Sequence, residues 1–563
     1  MKINPFMRHF AVGNKYLQTA IIISFSISVS GCLNKIDDKS SDPLLTETVA
    51  LSPILGYTLP SGDIPANASQ SELADWAWQQ FVALGWQSTY DPTSSGAERG
   101  VPDTTWQISD NTSPTHTVWE TFAHRQELRP YKTDLTLDYD ELHIPNYKIG
   151  ATLNPADPNN TSFTLLNNLD EDNEIGSALI YLGVPENTST ANLVLYQAKV
   201  NRDEYNYIKN TFPDQADDMG TLAKAASNNK ANIKTYKTAI LDQNNEPIAD
   251  NCNIPDGVAS NKYIVLPCGN ATQAGAIEIK TAFMKVDEDQ IVAGGPFEDF
   301  LIRDAIYYTK NGDGSFTYHN GKFALLGIHI IRKTENFPGF IFTSFEHNSL
   351  ENGITTNVDG QDEIQFFHFQ NLTPVDPDYG KFANQYSEDA AGKSNGKAYG
   401  GFVKIERQTG PNPTSNGKLY PIPKTIKSVT STYQAALGEV GSVWANYKLS
   451  GVQAQPVDYI DRASDPNYFM ANFIIESDSF LGNFYGPGFS SQKPAFPSQP
   501  THVFPDGSQN GDNVIANLQS FNMGGCKGCH GVAATAFGTD TSFLLDFGKG
   551  KPVTEPDTIN FVD

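Results

Sequence analysis

The sequence is short of positive charge. Its 563 residues hold 39 Lys and Arg against 64 Asp and Glu, a formal net charge of −25. A surface this acidic repels a phosphate backbone, which argues against nucleic acid as a partner. Cysteine is scarce as well: Cys32, Cys252, Cys268, Cys526 and Cys529 are the full set. Only one C-x-x-C occurs among them, so a structural zinc site would lack its second pair of thiols. The chain has no G-x-G-x-x-G, P-loop, G-x-S-x-G elbow or H-E-x-x-H. The usual motif routes to dinucleotide, nucleotide, serine-hydrolase and zinc-protease chemistry are therefore absent. There is no internal repeat of fixed period.

What is present is a large, aromatic-rich apolar complement. Hydrophobic residues make up 39% of the chain, with 24 Tyr and 33 Phe. That is enough for a sizeable core and two or three domains. The 45 Gly and 34 Pro leave much of the length to loops.

Residues 1–31 have the pattern of a secretion signal. Lys2, Arg8 and Lys15 precede an apolar core from Ala20 to Val29, and no acid intervenes. The core is too short for a stable membrane-spanning helix. It ends in Val29-Ser30-Gly31-Cys32, which resembles the bacterial lipobox. There, small residues let a peptidase approach and the cysteine thiol accepts a lipid. The other reading is an ordinary cleaved signal with an accidental cysteine. Leu33 follows Cys32 in place of Asp; by resemblance to lipoproteins of double-membrane bacteria, that favours the outer membrane, facing the periplasm or the cell surface. Residues 32–60 are polar and weakly periodic, as for a flexible tether.

Further along, Ser69-Gln70-Ser71-Glu72 is a capping box. It opens a helix with Leu73, Trp76, Ala77, Phe81 and Leu84 on one face, closed by Gly85. A second amphipathic piece runs from Val118 to Arg125. The tryptophans in these stretches read as core anchors. Asn192–Tyr196 has strand character, and Asp203–Lys209 and Leu222–Ala231 have helical character. From Ile277 the pattern turns to β: Ile277–Phe283 alternates, Phe323–Ile331 is nearly all apolar, and Phe340–His347 returns after turn residues. A hairpin is expected there. Glu346 and His347 at its mouth read either as a proton-shuttling pair or as a structural histidine beside an acid. A helix is expected from Val429 through Tyr433, Leu437, Val440 and Trp444 to Tyr447, stopped by Gly451, and a shorter one over Asn467–Phe480.

Near the C-terminus stands Cys526-Lys527-Gly528-Cys529-His530. This is C-x-x-C-H, the attachment pattern of a covalent c-type haem. Two thiols at this spacing form thioethers with the two vinyl groups, and the adjacent histidine is the proximal axial ligand. A redox C-x-x-C would open a helix after a strand in a βαβ unit, and no such unit precedes it. Haem attachment, export and oxidation share one compartment outside the cytoplasm. Cys252 and Cys268, 16 residues apart, are accordingly expected to form a disulfide worth about 3 kcal/mol.

Several stretches together resemble a group of large, exported, bacterial mono-haem c-type cytochromes. They include Trp78-Gln79-Gln80-Phe81, Arg99-Gly100-Val101-Pro102-Asp103 and Val118-Trp119-Glu120-Thr121. Ile277–Ala282, Ile328-His329-Ile330, Thr343–His347, Ser442-Val443-Trp444 and Cys526–Gly531 complete them. The resemblance implies one haem c, held by Cys526, Cys529 and His530, and implies no substrate. In the small cytochrome c fold the haem motif comes early and a downstream methionine is the sixth ligand. Here 33 residues follow His530, and none is Met or His. The distal ligand must come from upstream, or the site is vacant or water-filled. His502 and Met470 are the candidates near the motif; Met523 is too close to reach the far face. His329, His347, His124 and His116 qualify only if the larger domain folds over the haem.

The expected fold class is α+β. A β-rich central region carries peripheral helices, and a mainly helical, loop-rich C-terminal segment binds haem. The expected divisions are 1–31 signal, 32–60 tether, 61–420 mixed α/β domain and 421–563 cytochrome c-like region. The expected function is single-electron transfer between redox partner proteins, from a lipid-anchored position. One alternative is a haem enzyme or gas-binding protein with an open distal site, using Glu346 and His347 or His124 and Arg125. Another is a substrate-oxidising 61–420 region that uses the haem as electron acceptor. If the protein is an enzyme, it is an oxidoreductase.

Overall fold

The structure is a computed structural model of the chain. It describes residues 53–91, 94, 96–109, 113–128, 138–141, 180–182, 194–213, 220–236, 238–248, 251–295, 297–310, 316–348, 355–358, 361–364, 366–368, 424–454, 526, 530, 534 and 537–545. The chain divides into two units, Met1–Ala50 and Leu51–Asp563. The first holds the expected signal and Cys32 and lies outside the described residues, as do Asn467–Phe480, His502, Met470 and Cys529. Among the described residues, no helix is long and apolar enough to cross a membrane.

The second unit is built on an antiparallel sheet. Its strands are β1 (Ala123–His124), β3 (Val194–Val200), β4 (Ile277–Val286), β6 (Phe316–Thr334), β7 (Phe337–His347) and β11 (Tyr447–Gln453), hydrogen-bonded in that order. β5 (Ile302–Lys310) pairs with the first part of β6. Two short pairs lie apart: β2 (Ile180–Leu182) with β10 (Phe366–His368), and β8 (Thr355–Val358) with β9 (Gln361–Ile364). The expected α+β class with a β-rich centre holds. The β6–β7 hairpin closes across Thr334 and Phe337, as the apolar, turn, apolar pattern predicts. β5 was not anticipated, although Ile302, Ala305 and Ile306 are apolar; Tyr307-Tyr308 and the charged Arg303-Asp304 blur its alternation.

Helix α1 (Gln70–Leu84) starts where the capping box places it. The Glu72 backbone N–H donates to Ser69 Oγ at 3.3 Å, and the Ser69 N–H donates to Glu72 at 2.7 Å. Its apolar face packs on the sheet. Phe81 stacks on Phe345 of β7 with ring centroids 4.1 Å apart, and Trp78 meets Phe345 edge-on at 5.0 Å. All six tryptophans are buried, as expected of core anchors; burying a large apolar side chain contributes roughly 1.5–3 kcal/mol. Helices α2 (Arg202–Thr211) and α3 (Gly220–Tyr236) match the expected helical stretches.

Three expectations are refined or corrected. The amphipathic piece Val118–Arg125 takes 3-10 turns, at Trp119–Thr121 and Arg125–Leu128, that flank the two residues of β1. The helix expected to reach Tyr447 is α4 (Lys424–Glu439). Gly441 follows at φ 69°, and Ser442 then caps a 3-10 turn, so Trp444 and Tyr447 belong to the turn and to β11. Third, the packed body begins before residue 61: Leu55 and Leu59 lie against the core, and Tyr57 sits 5.8 Å from Trp86. Across the boundary expected at 421, α4 packs by Tyr433 on Trp78 of α1, and β11 pairs with β7. Residues 424–454 thus complete the central sheet.

Candidate haem site

Antiparallel partners share a face of a sheet, and side chains alternate along each strand. The register therefore sorts the sheet into two faces. Phe345, Ile328, Thr281 and Gln197 share the face that meets α1. The opposite face carries successive rows. The first row is Glu278, Ile331 and Phe342; the second is Lys280, His329 and Ser344; the third is Ala282, Gly327 and Glu346.

The C-terminal segment lies on this second face. His530 is placed 4.7 Å, ring to ring, from Phe342, and 4.9 Å from Phe543 of its own segment. Its Nδ1 is 2.7 Å from the Thr541 carbonyl oxygen. A carbonyl only accepts, so Nδ1 carries the proton, and the lone pair belongs to Nε2. Cys526 is buried and, like His530, has helical backbone.

A polar clamp holds the segment down. Asp540 accepts from the Leu266 N–H at 2.7 Å and from Lys333 at 2.5 Å. Asn229 of α3 donates to the Ile264 and Gly538 carbonyls at 2.7 and 3.0 Å. Gly538 has φ 76°, and a Cβ there would lie 2.0 Å from the Ala226 carbonyl oxygen, so glycine is required. The expected disulfide Cys252–Cys268 is formed, with Cα atoms 5.3 Å apart. Next to it, the Gly269 N–H bonds the Lys333 carbonyl. The disulfide thus borders the loop whose Leu266 receives Asp540.

Buried carboxyls crowd this contact. Glu278 is hydrogen-bonded to the Ser542 side chain and lies near Asp540 and Glu204, with Lys333 as the neighbouring cation. Burial, first, and mutual repulsion push the Glu204 and Glu278 carboxyls above the usual range. Burial also raises Asp540, against the pull of Lys333.

His329 is buried on β6. Burial chiefly, then the nearby charges of Lys280 and His530, hold its pKa well below the ordinary value and keep it neutral. The other histidines weighed as distal ligands are elsewhere. His347 faces the α1 side by alternation with Phe345, stacks on Phe300 at 3.5 Å and sits 3.3 Å from the Asp299 carbonyl. His124 pairs with Lys199 and shares its face, and His116 lies by Tyr90. Of the two readings of Glu346 and His347, the contacts favour the structural histidine over the proton-shuttling pair: neighbours on a strand point to opposite faces, and Glu346 meets Lys448 at 3.4 Å. Arg125 and His124 adjoin a structural network. There Arg99 makes a bidentate bond to Glu127 at 2.8 and 2.9 Å and donates to the Thr121, Phe122 and Tyr139 carbonyls.

Sequence reading missed Phe342, Thr541 and the carboxyl clamp. No local signal marks them, since Lys333 and Asp540 meet across 207 residues. No protein-family model, curated protein or solved structure matches the chain.

Tested against a c-type haem, the described residues fit. A metal-bound histidine ordinarily donates its other ring N–H to a carbonyl or carboxylate, which fixes tautomer and orientation. His530 does so to Thr541, between two aromatic rings, with the buried Cys526 thiol four residues before it in the chain.

Proposed function

We propose that this protein is a mono-haem c-type cytochrome that carries single electrons outside the cytoplasm, tethered by a lipid on Cys32. The observation that carries the reading is the 2.7 Å bond from His530 Nδ1 to the Thr541 carbonyl within a C-x-x-C-H motif. Cys526 and Cys529 would hold the haem by thioethers, and His530 Nε2 would hold its iron. When bound, the haem supplies a one-electron couple at its iron.

The chain's own residues do the rest. The Thr541 carbonyl orients the imidazole and makes Nε2 a stronger donor, which favours the oxidised iron. Phe342 and Phe543 flank the partly buried ring, and that apolar contact is a lever on the potential. The Asp540–Lys333 contact anchors the loop that carries the Thr541 carbonyl. The acidic exterior suits docking of a basic redox partner protein. The resemblance to large exported mono-haem cytochromes belongs to this reading. So does the finer assignment of a mainly helical, loop-rich haem-binding segment within 421–563, and so does an outer-membrane location.

The test is expression of the full chain in a host that attaches haem c, followed by denaturation and mass measurement. Wild type is expected to keep one haem covalently, with the spectrum of a c-type haemochrome. Cys529→Ala is expected to lose or weaken that attachment. A wild-type chain without covalent haem, or full attachment in the variant, would overturn the reading.

A further inference from the structure

We propose that the His329 imidazole, projecting from the central strand β6 toward His530, is the second axial ligand of the haem iron. The inference rests on the haem reading above and adds the residue that closes the site.

The sheet register carries it. The C-terminal segment crosses the first row at both ends: Ser542 meets Glu278, and His530 meets Phe342. Ile331 pairs with both Glu278 and Phe342 and so lies between them. His329 is two residues from Ile331 on the same strand and the same face, about 7 Å along the strand. It stands in register with Ser344, itself two residues from Phe342. The two imidazoles thus reach one patch of one face from chain segments far apart in sequence. Beyond His329 the next row holds Gly327 on β6 and Ala282 on β4, flanked by Glu346 of β7 and Tyr196 of β3.

Position on β6 also suits a ligand. β6 is flanked on both sides at His329, by Lys280 of β4 and Ser344 of β7. A ligand on such a strand is held more rigidly than one on a loop. Among the described residues, the other ligating side chain in that row is Lys280, whose Nζ lies 5.2 Å over the Tyr196 ring. His116, His124 and His347 are placed elsewhere by the contacts above.

The experiment uses the haem-loaded full chain. Wild type is expected to be low-spin in both oxidation states, to resist carbon monoxide when reduced, and to show the near-infrared magnetic circular dichroism of two histidine ligands. His329→Ala is expected to turn high-spin and bind carbon monoxide rapidly, with added imidazole restoring the low-spin spectrum. His329→Met is expected to raise the reduction potential, as methionine ligation does. A low-spin, carbon-monoxide-resistant His329→Ala protein would overturn the assignment, as would loss of the low-spin state in His502→Ala. If His329→Ala fails to fold, the wild-type near-infrared signature decides: histidine with methionine, histidine with lysine, or a high-spin iron each overturns it. Covalent haem present with any of those signatures removes His329 alone; absence of covalent haem from wild type removes the haem reading itself.

Discussion

His530 donates its Nδ1 proton to the Thr541 carbonyl across 2.7 Å, and both belong to a segment that packs on a sheet formed far upstream. The described part of the segment that carries C-x-x-C-H is therefore no detached module. Its histidine is oriented by a loop, and that loop is clamped by Asp540 to Lys333 of β6.

Gly538→Ala should loosen this clamp. The left-handed backbone alone costs an L-residue roughly 1–2 kcal/mol, and the Cβ would collide with the Ala226 carbonyl. A lower urea midpoint is expected, together with faster proteolysis of the C-terminal segment. An unchanged midpoint would show that the segment does not pack on α3 as described.

Glu127→Ala should be severely destabilising. It strands the Arg99 guanidinium, which is 1% exposed, in the interior without its carboxylate. Breaking one side of a buried pair costs roughly 3–5 kcal/mol. Thermal or urea unfolding reads this directly, and a loss under 1 kcal/mol would contradict the geometry.

Glu278→Gln should change the pH dependence of stability. The folded-state pKa of Glu278 is raised above its ordinary 4.5. The native state therefore holds a proton that the unfolded chain releases, and stability falls as pH rises from 4.5 toward the raised value. His347, pushed down to about 3 by burial, acts the other way: it costs stability as pH falls below its ordinary 6.5. The two oppose each other between about pH 4.5 and 6.5. The difference between variant and wild type isolates Glu278, and the variant's relative stability should grow from pH 5 to pH 8. A pH-independent difference would mean that Glu278 ionises normally.

Cys32→Ser should move the protein from the membrane fraction to the soluble one if Cys32 carries the lipid. Unchanged membrane association after fractionation would make that cysteine accidental.

Much of the fold was legible in local pattern. The capping box at Ser69 and Glu72, the alternation after Ile277 and the hairpin at Thr334 are short-range signals. They depend on backbone hydrogen bonds and side-chain period within about ten residues. The helix expected to run to Tyr447 failed because Gly441 ends it, and apolar spacing alone cannot register a left-handed turn. For Glu346 and His347 the structural reading outlived the proton-shuttling one, because adjacency in sequence is opposition on a strand.

By itself the sequence set the motif: two thiols and an imidazole stand at C-x-x-C-H spacing, a pattern that needs no long-range contact to recognise and on which the proposed haem attachment rests. It also determined the disulfide, the tryptophan core and the strands of the central hairpin. Tertiary structure decided what surrounds the imidazole. Phe342, Lys333 and His329 lie 188, 197 and 201 residues before His530, and only the pairing of β6 with β7 sets Phe342 and His329 on one face; Thr541 comes from the His530 segment itself. Register is a cooperative property of the whole sheet. A one-residue slip would turn His329 to the other side and leave the motif itself unchanged.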